Sequence, residues 1–129
     1  MEENVHNKEN KILIADDDEN VRFFLEKFLK QKGYSQIHSV ATGEEALKAV
    51  EKDNIKLVLL DIRLLDMDGI DVLRKIKKMN KNISVIMITA FPDEELTKEA
   101  MKEGACDYII KPFDLAQLKA SVANKIKGL

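Results

Sequence analysis

Apolar residues follow two rhythms along this chain. Lys11-Ile-Leu-Ile-Ala15, Leu57 to Leu60 and Ile83 to Ile88 are nearly unbroken apolar runs bounded by polar residues. Runs of this length predict strands covered on both faces of a sheet. Between them, apolar residues recur at three- and four-residue spacing, which predicts helices with one inward face. Val21, Phe24, Leu25, Phe28 and Leu29 form the first stripe, which leaves Phe23 outside it and ends at Gly33. Ala46, Leu47, Ala49 and Val50 form the second, opened by a capping box of Thr42 and Glu45. Ile70, Val72, Leu73 and Ile76 form the third, after a turn holding Asp66, Asp68 and Gly69. The fourth is thin: Leu96, Ala100 and Met101, between Pro92-Asp93 and Gly104. The fifth begins at Asp114 and faces Leu115, Leu118, Val122 and Ile126 inward. Gln36-Ile-His-Ser-Val40 alternates as an edge strand does, and Tyr108-Ile-Ile110 is a short strand.

Strand and helix thus alternate, which predicts an α/β fold with a parallel sheet. Right-handed crossovers leave few arrangements. The unbroken apolar runs belong in the centre and the alternating one at an edge. A flavodoxin-like, doubly wound (βα)5 sheet in the order 2-1-3-4-5 meets both conditions and puts a site at the carboxyl ends of its strands.

The residues at those ends are chemically matched. Strand one ends in Asp16 and Asp17, its neighbour strand three in Asp61, strand four in Thr89-Ala90 and strand five in Lys111-Pro112. Converging carboxylates repel and raise one another's pKa values unless a cation intervenes. All-oxygen donors favour Mg²⁺. A metal, a hydroxyl and an ammonium around a carboxylate make a receptor for a phosphoryl group, and a carboxylate can itself attack phosphorus.

Composition narrows this picture. The chain has 129 residues, 45% hydrophobic and 34% charged, which suits one domain with one core. A formal net charge of -2 supplies no field for nucleic acid, and no apolar run approaches membrane-spanning length. Residues 1–10 read as a flexible tail and residues 11–129 as the domain. Cys106 is the only cysteine, which excludes an internal disulfide and predicts a packed thiol in a cytoplasmic protein. Lys75, Lys77, Lys78 and Lys81 read as a solvated helix face, and Met67 and Met87 as core filler. His6 and His38 have no partner at metal-ligand spacing.

The acidic pair after Ile14-Ala15, Leu59-Leu60-Asp61 with Met67-Asp68-Gly69 behind it, Thr89-Ala90, and Lys111-Pro112-Phe113 occur in this order. In these motifs the chain resembles the receiver domain of bacterial two-component response regulators, over residues 11 to 127. The resemblance implies a phosphorylation-dependent signalling switch of a two-component system or phosphorelay, which catalyses only its own phosphorylation and dephosphorylation. Asp61 would accept the phosphoryl group from a histidine kinase or histidine phosphotransferase. Asp16, Asp17, Asp61 and the backbone carbonyl of Arg63 would bind Mg²⁺. Thr89 and Ala90 would meet the phosphoryl group and Lys111 would pair with it. The Lys111-Pro112 peptide would be cis, and Tyr108 would be the switch aromatic. Arg63 and Phe91 would flank the path of the water that ends the signal. Leu65 stands where the family often has proline. Asp18 adds an acid, best read as starting the first helix.

Two other functions fit parts of the pattern. A phosphatase of the haloacid dehalogenase type also uses an aspartyl nucleophile with Mg²⁺, but needs a second aspartate where this chain has Arg63. A flavodoxin-like cofactor-binding protein needs backbone phosphate donors after strand one, where this chain has Asp16-Asp17-Asp18. The expected partners are a kinase or phosphotransferase and a downstream protein, without nucleic acid or membrane. A monomer is expected, with phosphorylation-dependent dimerisation as the alternative. The sequence stops after the fifth helix, so a relay or docking switch is expected rather than a transcription factor. Its expected docking surfaces lie near Val21 and Phe23, and near Tyr108.

Overall fold

The computed structural model describes residues 11–126, so the tail expected at residues 1–10 lies outside the described residues. Strands β1 (Lys11–Ala15), β2 (Ile37–Val40), β3 (Ile55–Asp61), β4 (Ser84–Thr89) and β5 (Asp107–Ile110) form one parallel sheet in the order β2-β1-β3-β4-β5. Helices α1 (Glu19–Gln31), α2 (Gly43–Lys52), α3 (Gly69–Met79), α4 (Glu94–Lys102) and α5 (Leu115–Lys125) connect and follow them. Side chains alternate across the sheet. Leu13, Val58, Leu60, Val85 and Met87 pack with Ala46, Val50, Leu73, Ile76 and Ala100 on the face covered by α2, α3 and α4. Ile12, Ile14, Leu57, Leu59, Ile86 and Ile88 pack with Leu25, Leu29, Leu118 and Val122 on the face covered by α1 and α5. The unbroken apolar runs occupy β1, β3 and β4, where both faces are covered.

Each helix starts at a side-chain cap that satisfies an otherwise orphaned N–H. Asp18 accepts from Asn20, Thr42 from Glu45, Asp68 from Ile70, Asp93 from Glu95 and Leu96, and Asp114 from Gln117. The extra acid at Asp18 is therefore a cap. At α2 the Glu45 carboxylate reaches back to the Ala41 N–H at 3.1 Å and the Thr42 hydroxyl at 3.2 Å, one residue further than a simple capping box. Gly33 and Gly104, past the ends of α1 and α4, have φ of 98° and 112°, which only glycine adopts without strain.

Some inward positions differ from the helical pattern. Phe24 and Leu115 are 39% and 52% exposed, and Phe24 stacks on Phe113 (5.7 Å between centroids) instead of entering the core. Met101 is exposed as well, since α4 buries only Ala100. Cys106, just before edge strand β5, is half-buried rather than fully packed. Lys77 leaves the solvated lysine face: its ammonium donates to the Ile83 carbonyl at 2.6 Å and its stem lies over Gly104. Burial there lowers its pKa. Met87 is in the core, whereas Met67 is only partly buried, against Gly43.

Gly69 is fixed by close approach. A Cβ there would meet the Asp61 carbonyl oxygen and fall 2.7 Å from Ile62 Cα, both backbone atoms. Gly69→Ala is expected to cost about 1–3 kcal/mol by forcing the backbone apart, read as a lower urea midpoint with an unchanged m-value.

Candidate functional site

Register brings the acids together. Ala15 pairs with Leu60, so Asp16, just past β1, follows alongside Asp61, the last residue of β3. One carboxylate oxygen from each of Asp16, Asp17 and Asp61 lies within 4.8 Å of the others. Asp16 is fully buried and Asp61 is 6% exposed. One oxygen of Asp16 accepts the Asp18 N–H at 2.8 Å, and the other accepts the Lys111 ammonium at 2.8 Å. One oxygen of Asp61 accepts the Arg63 N–H at 2.9 Å, and the other accepts Lys111 at 3.1 Å. Arg22, not singled out in the sequence, donates to the Asp16 carbonyl at 2.7 Å and holds the end of β1.

Burial pushes the Asp16 carboxyl above its ordinary pKa, and the Asp61 charge adds to this; hydrogen bonds from Lys111 and Asp18 oppose it. Burial alone would lower the Lys111 ammonium, but hydrogen bonds and charges from Asp16 and Asp61 outweigh it and raise its pKa. With all three acids ionised, three carboxylates against one ammonium leave two negative charges in the cleft. A hard divalent cation matches both that charge and the all-oxygen donor set.

The loop after Asp61 is a tight hairpin. Arg63 and Asp68 form a bridge, the Leu64 N–H donates to the Met67 carbonyl at 3.2 Å, and the Gly69 N–H donates to the Ile62 carbonyl at 2.9 Å. Leu65, at its tip, is 86% exposed. Asp66 accepts the Gly43 N–H at 2.8 Å and the Glu44 N–H at 3.1 Å, a link to α2 that no sequence signal marks.

Thr89 ends β4 nearly fully buried, and its hydroxyl is engaged with the Phe91 backbone, accepting the N–H at 3.0 Å. Ala90 and Phe91 are exposed beyond it. The Arg63 guanidinium lies over the Phe91 ring, 5.5 Å from its centroid, so these side chains form a cation–π pair beside the cleft. The Lys111-Pro112 peptide is cis. Tyr108 packs inward against the α2–α4 core, and its buried hydroxyl has no hydrogen-bond partner among the described residues. Helix α4 is held partly by charge: Arg74 of α3 contacts Glu99 at 2.6 Å and Glu103 at 3.3 Å, besides Asp71 on its own helix. The sequence singles out neither Asp71 nor Arg74, and nothing in it marks the pairing with α4.

The sequence pattern of the response regulator receiver domain matches residues 12–123. The chain belongs to the response regulator receiver family. Sporulation initiation phosphotransferase F of Bacillus subtilis (strain 168) is 38% identical over 112 residues, covering 87% of this chain and 90% of that protein. The transcriptional regulatory protein ZraR of Escherichia coli (strain K12) is 40% identical over 115 residues, but the match spans only 26% of that protein. A CheY-like receiver domain protein from Methanospirillum hungatei JF-1 superposes with a TM-score of 0.86 at 32% identity, covering 91% of this chain and 93% of that one. Receiver domains are signalling switches that bind Mg²⁺ at an acidic pocket and interact with histidine kinases or phosphotransferases and downstream targets. The acid cluster of this receiver domain fits that ion in donor type, convergence and charge. Among the described residues, no helix is long and apolar enough to cross a membrane.

In Lys111→Met the cleft keeps its carboxylates and loses its cation. Mg²⁺ then has no ammonium to displace. The variant is expected to melt below wild type without metal at pH 7, and Mg²⁺ should raise its melting temperature by more than it raises that of wild type, as differential scanning calorimetry would report.

Proposed function

We propose that this receiver domain is a relay or docking switch that takes a phosphoryl group on Asp61 from a phosphohistidine in a kinase or phosphotransferase. The observation that carries this reading is a nearly buried carboxylate at the end of β3, flanked by two further acids and hydrogen-bonded to Lys111. An Asp61 oxygen attacks phosphorus as the bond from phosphorus to the donor imidazole breaks, and that electron pair returns to the ring nitrogen. Lys111 neutralises charge on the phosphoryl oxygens, and Thr89 and Ala90 supply a hydroxyl and an N–H to them. Mg²⁺, held by Asp16, Asp17, Asp61 and the Arg63 carbonyl, would balance charge at the reacting oxygens. Arg63 and Phe91 flank the approach of water to the acyl phosphate. The phosphatase alternative is disfavoured because Arg63 offers no carboxylate to activate that water.

The donor protein has a natural seat. Val21, Phe24, Pro112, Phe113 and Leu115 line an apolar hollow that Lys111 also borders, so a helix docked on it would present its histidine to Asp61. The 38% identity to the sporulation phosphotransferase, over 90% of that protein, supports the relay reading. A cytoplasmic monomer is part of the same proposal. Output passes through α4, β5 and α5. Thr89 would leave the Phe91 backbone for the phosphoryl group. Tyr108, whose buried hydroxyl has no hydrogen-bond partner among the described residues, would then turn toward the space vacated.

With acetyl phosphate and Mg²⁺, intact-protein mass spectrometry should find one added phosphoryl group on wild type and none on Asp61→Asn. Equal labelling of both would move the acceptor elsewhere. In Phe91→Glu the polar side chain should guide water to the acyl phosphate, so the phosphorylated form should decay several-fold faster than wild type. Equal decay would remove Phe91 from the water path.

A further inference from the structure

The hairpin between Asp61 and Gly69 carries the Arg63 carbonyl, and its own hydrogen bonds, the Arg63–Asp68 bridge and the Leu64 N–H to the Met67 carbonyl, close it without tying it to α2. The tip, Leu65, packs on nothing that buries it. What ties the tip to the body is Asp66. Its two oxygens accept the first N–H groups of α2, Gly43 at 2.8 Å and Glu44 at 3.1 Å. These hydrogen bonds, Gly43 first, hold the Asp66 pKa below its ordinary value, as expected of a carboxylate at a positive helix end. Met67 closes the same joint. A Cβ on Gly43 would fall 2.8 Å from the Met67 sulfur and 2.9 Å from Val72 Cγ2, so the Met67 and Val72 side chains lie close against the start of α2. Yet α2 already has its own cap, since the Thr42 hydroxyl accepts the Glu45 N–H at 3.1 Å. Asp66 takes the Gly43 and Glu44 N–H groups that Thr42 does not, and does so from the hairpin rather than from the helix's own start.

We propose that Asp66 is a positioning residue for the cation site, which locks the Asp61–Gly69 hairpin to the start of α2 and so holds the Arg63 carbonyl in place toward Asp16, Asp17 and Asp61. The proposal rests on the reading above that Mg²⁺ binds among these groups. Outer-shell partners of this kind change metal affinity by about tenfold or more when lost. Coupling is reciprocal: if the lock favours the ion, the ion must favour the lock.

The test compares Asp66→Ala, Asp66→Asn and Thr42→Ala with wild type by Mg²⁺ titration calorimetry, and follows hydrogen exchange at the Gly43 and Glu44 amides by NMR. Thr42→Ala removes the other cap of the same helix and reports what loss of capping alone does. Expected are Mg²⁺ affinity about tenfold weaker in Asp66→Ala, an intermediate loss in Asp66→Asn, which keeps one acceptor oxygen, and wild-type affinity in Thr42→Ala. In wild type, Mg²⁺ should slow exchange at Gly43 and Glu44. If Asp66→Ala does not fold, Asp66→Asn and the wild-type exchange data decide. Equal Mg²⁺ affinity in the Asp66 and Thr42 variants, or exchange at Gly43 and Glu44 indifferent to Mg²⁺, would reduce Asp66 to a helix cap. Failure of wild type to bind Mg²⁺ would overturn the cation-site reading itself, and this proposal with it.

Discussion

The structure turns on the crowding of carboxylates at one end of a parallel sheet. Asp16 and Asp61 stand side by side because β1 and β3 are hydrogen-bonded neighbours in register. Neither can spread its charge into water, since Asp16 is fully buried and Asp61 nearly so. Lys111 relieves the conflict from β5, two strands from β3, by reaching both acids. One ammonium cannot balance three ionised acids, and a hard divalent cation matches the residual charge and the all-oxygen donor set. The same crowding constrains the surrounding backbone. Arg22 and the Asp18 N–H fix Asp16, the Arg63 N–H fixes Asp61, and Gly69 lets the next helix begin against the strand end.

Rigidity is distributed unevenly around this cleft. On one side, α2 and α3 bury broad apolar faces and clamp the hairpin between Asp61 and Gly69. On the other, α4 buries only Ala100 and leans on ion pairs from Arg74 to Glu99 and Glu103. Ion pairs between partly exposed side chains contribute little individually and weaken with salt. Thr89 sits at the junction, bonded to the backbone that leads into α4, and Tyr108 packs on the core that α4 covers, its hydroxyl without a partner among the described residues. A signal at the strand ends therefore meets little resistance toward α4 and much toward α2. That asymmetry is the physical support for the proposal that output travels by α4 and β5.

The chain's periodicity by itself determined much of this. Unbroken apolar runs became the doubly covered strands β1, β3 and β4, the alternating run became edge strand β2, and the helices began at Asp18, Thr42, Asp68, Asp93 and Asp114. These features are local: a strand's coverage is written in its hydrophobicity and a cap needs only nearby residues. The site acids were legible for a related reason, since charged residues closing apolar strands are too costly to be packing accidents.

Tertiary structure decided what depends on how far each element extends over its neighbour. Phe24 and Leu115 lie on helical stripes yet stay exposed, and Phe24 stacks on Phe113 instead of entering the core. Met101 and Cys106 are left open where α4 and the start of β5 reach the sheet's edge. Lys77 reads as one more solvated lysine until α3 sets it over Gly104 and within reach of the Ile83 carbonyl. The Asp66 bonds to α2 and the Arg74 ion pairs to α4 join residues more than twenty positions apart. No period along the chain encodes such pairs, because a side chain's partner across space is chosen by the packing of whole elements, which exists only once the sheet has formed.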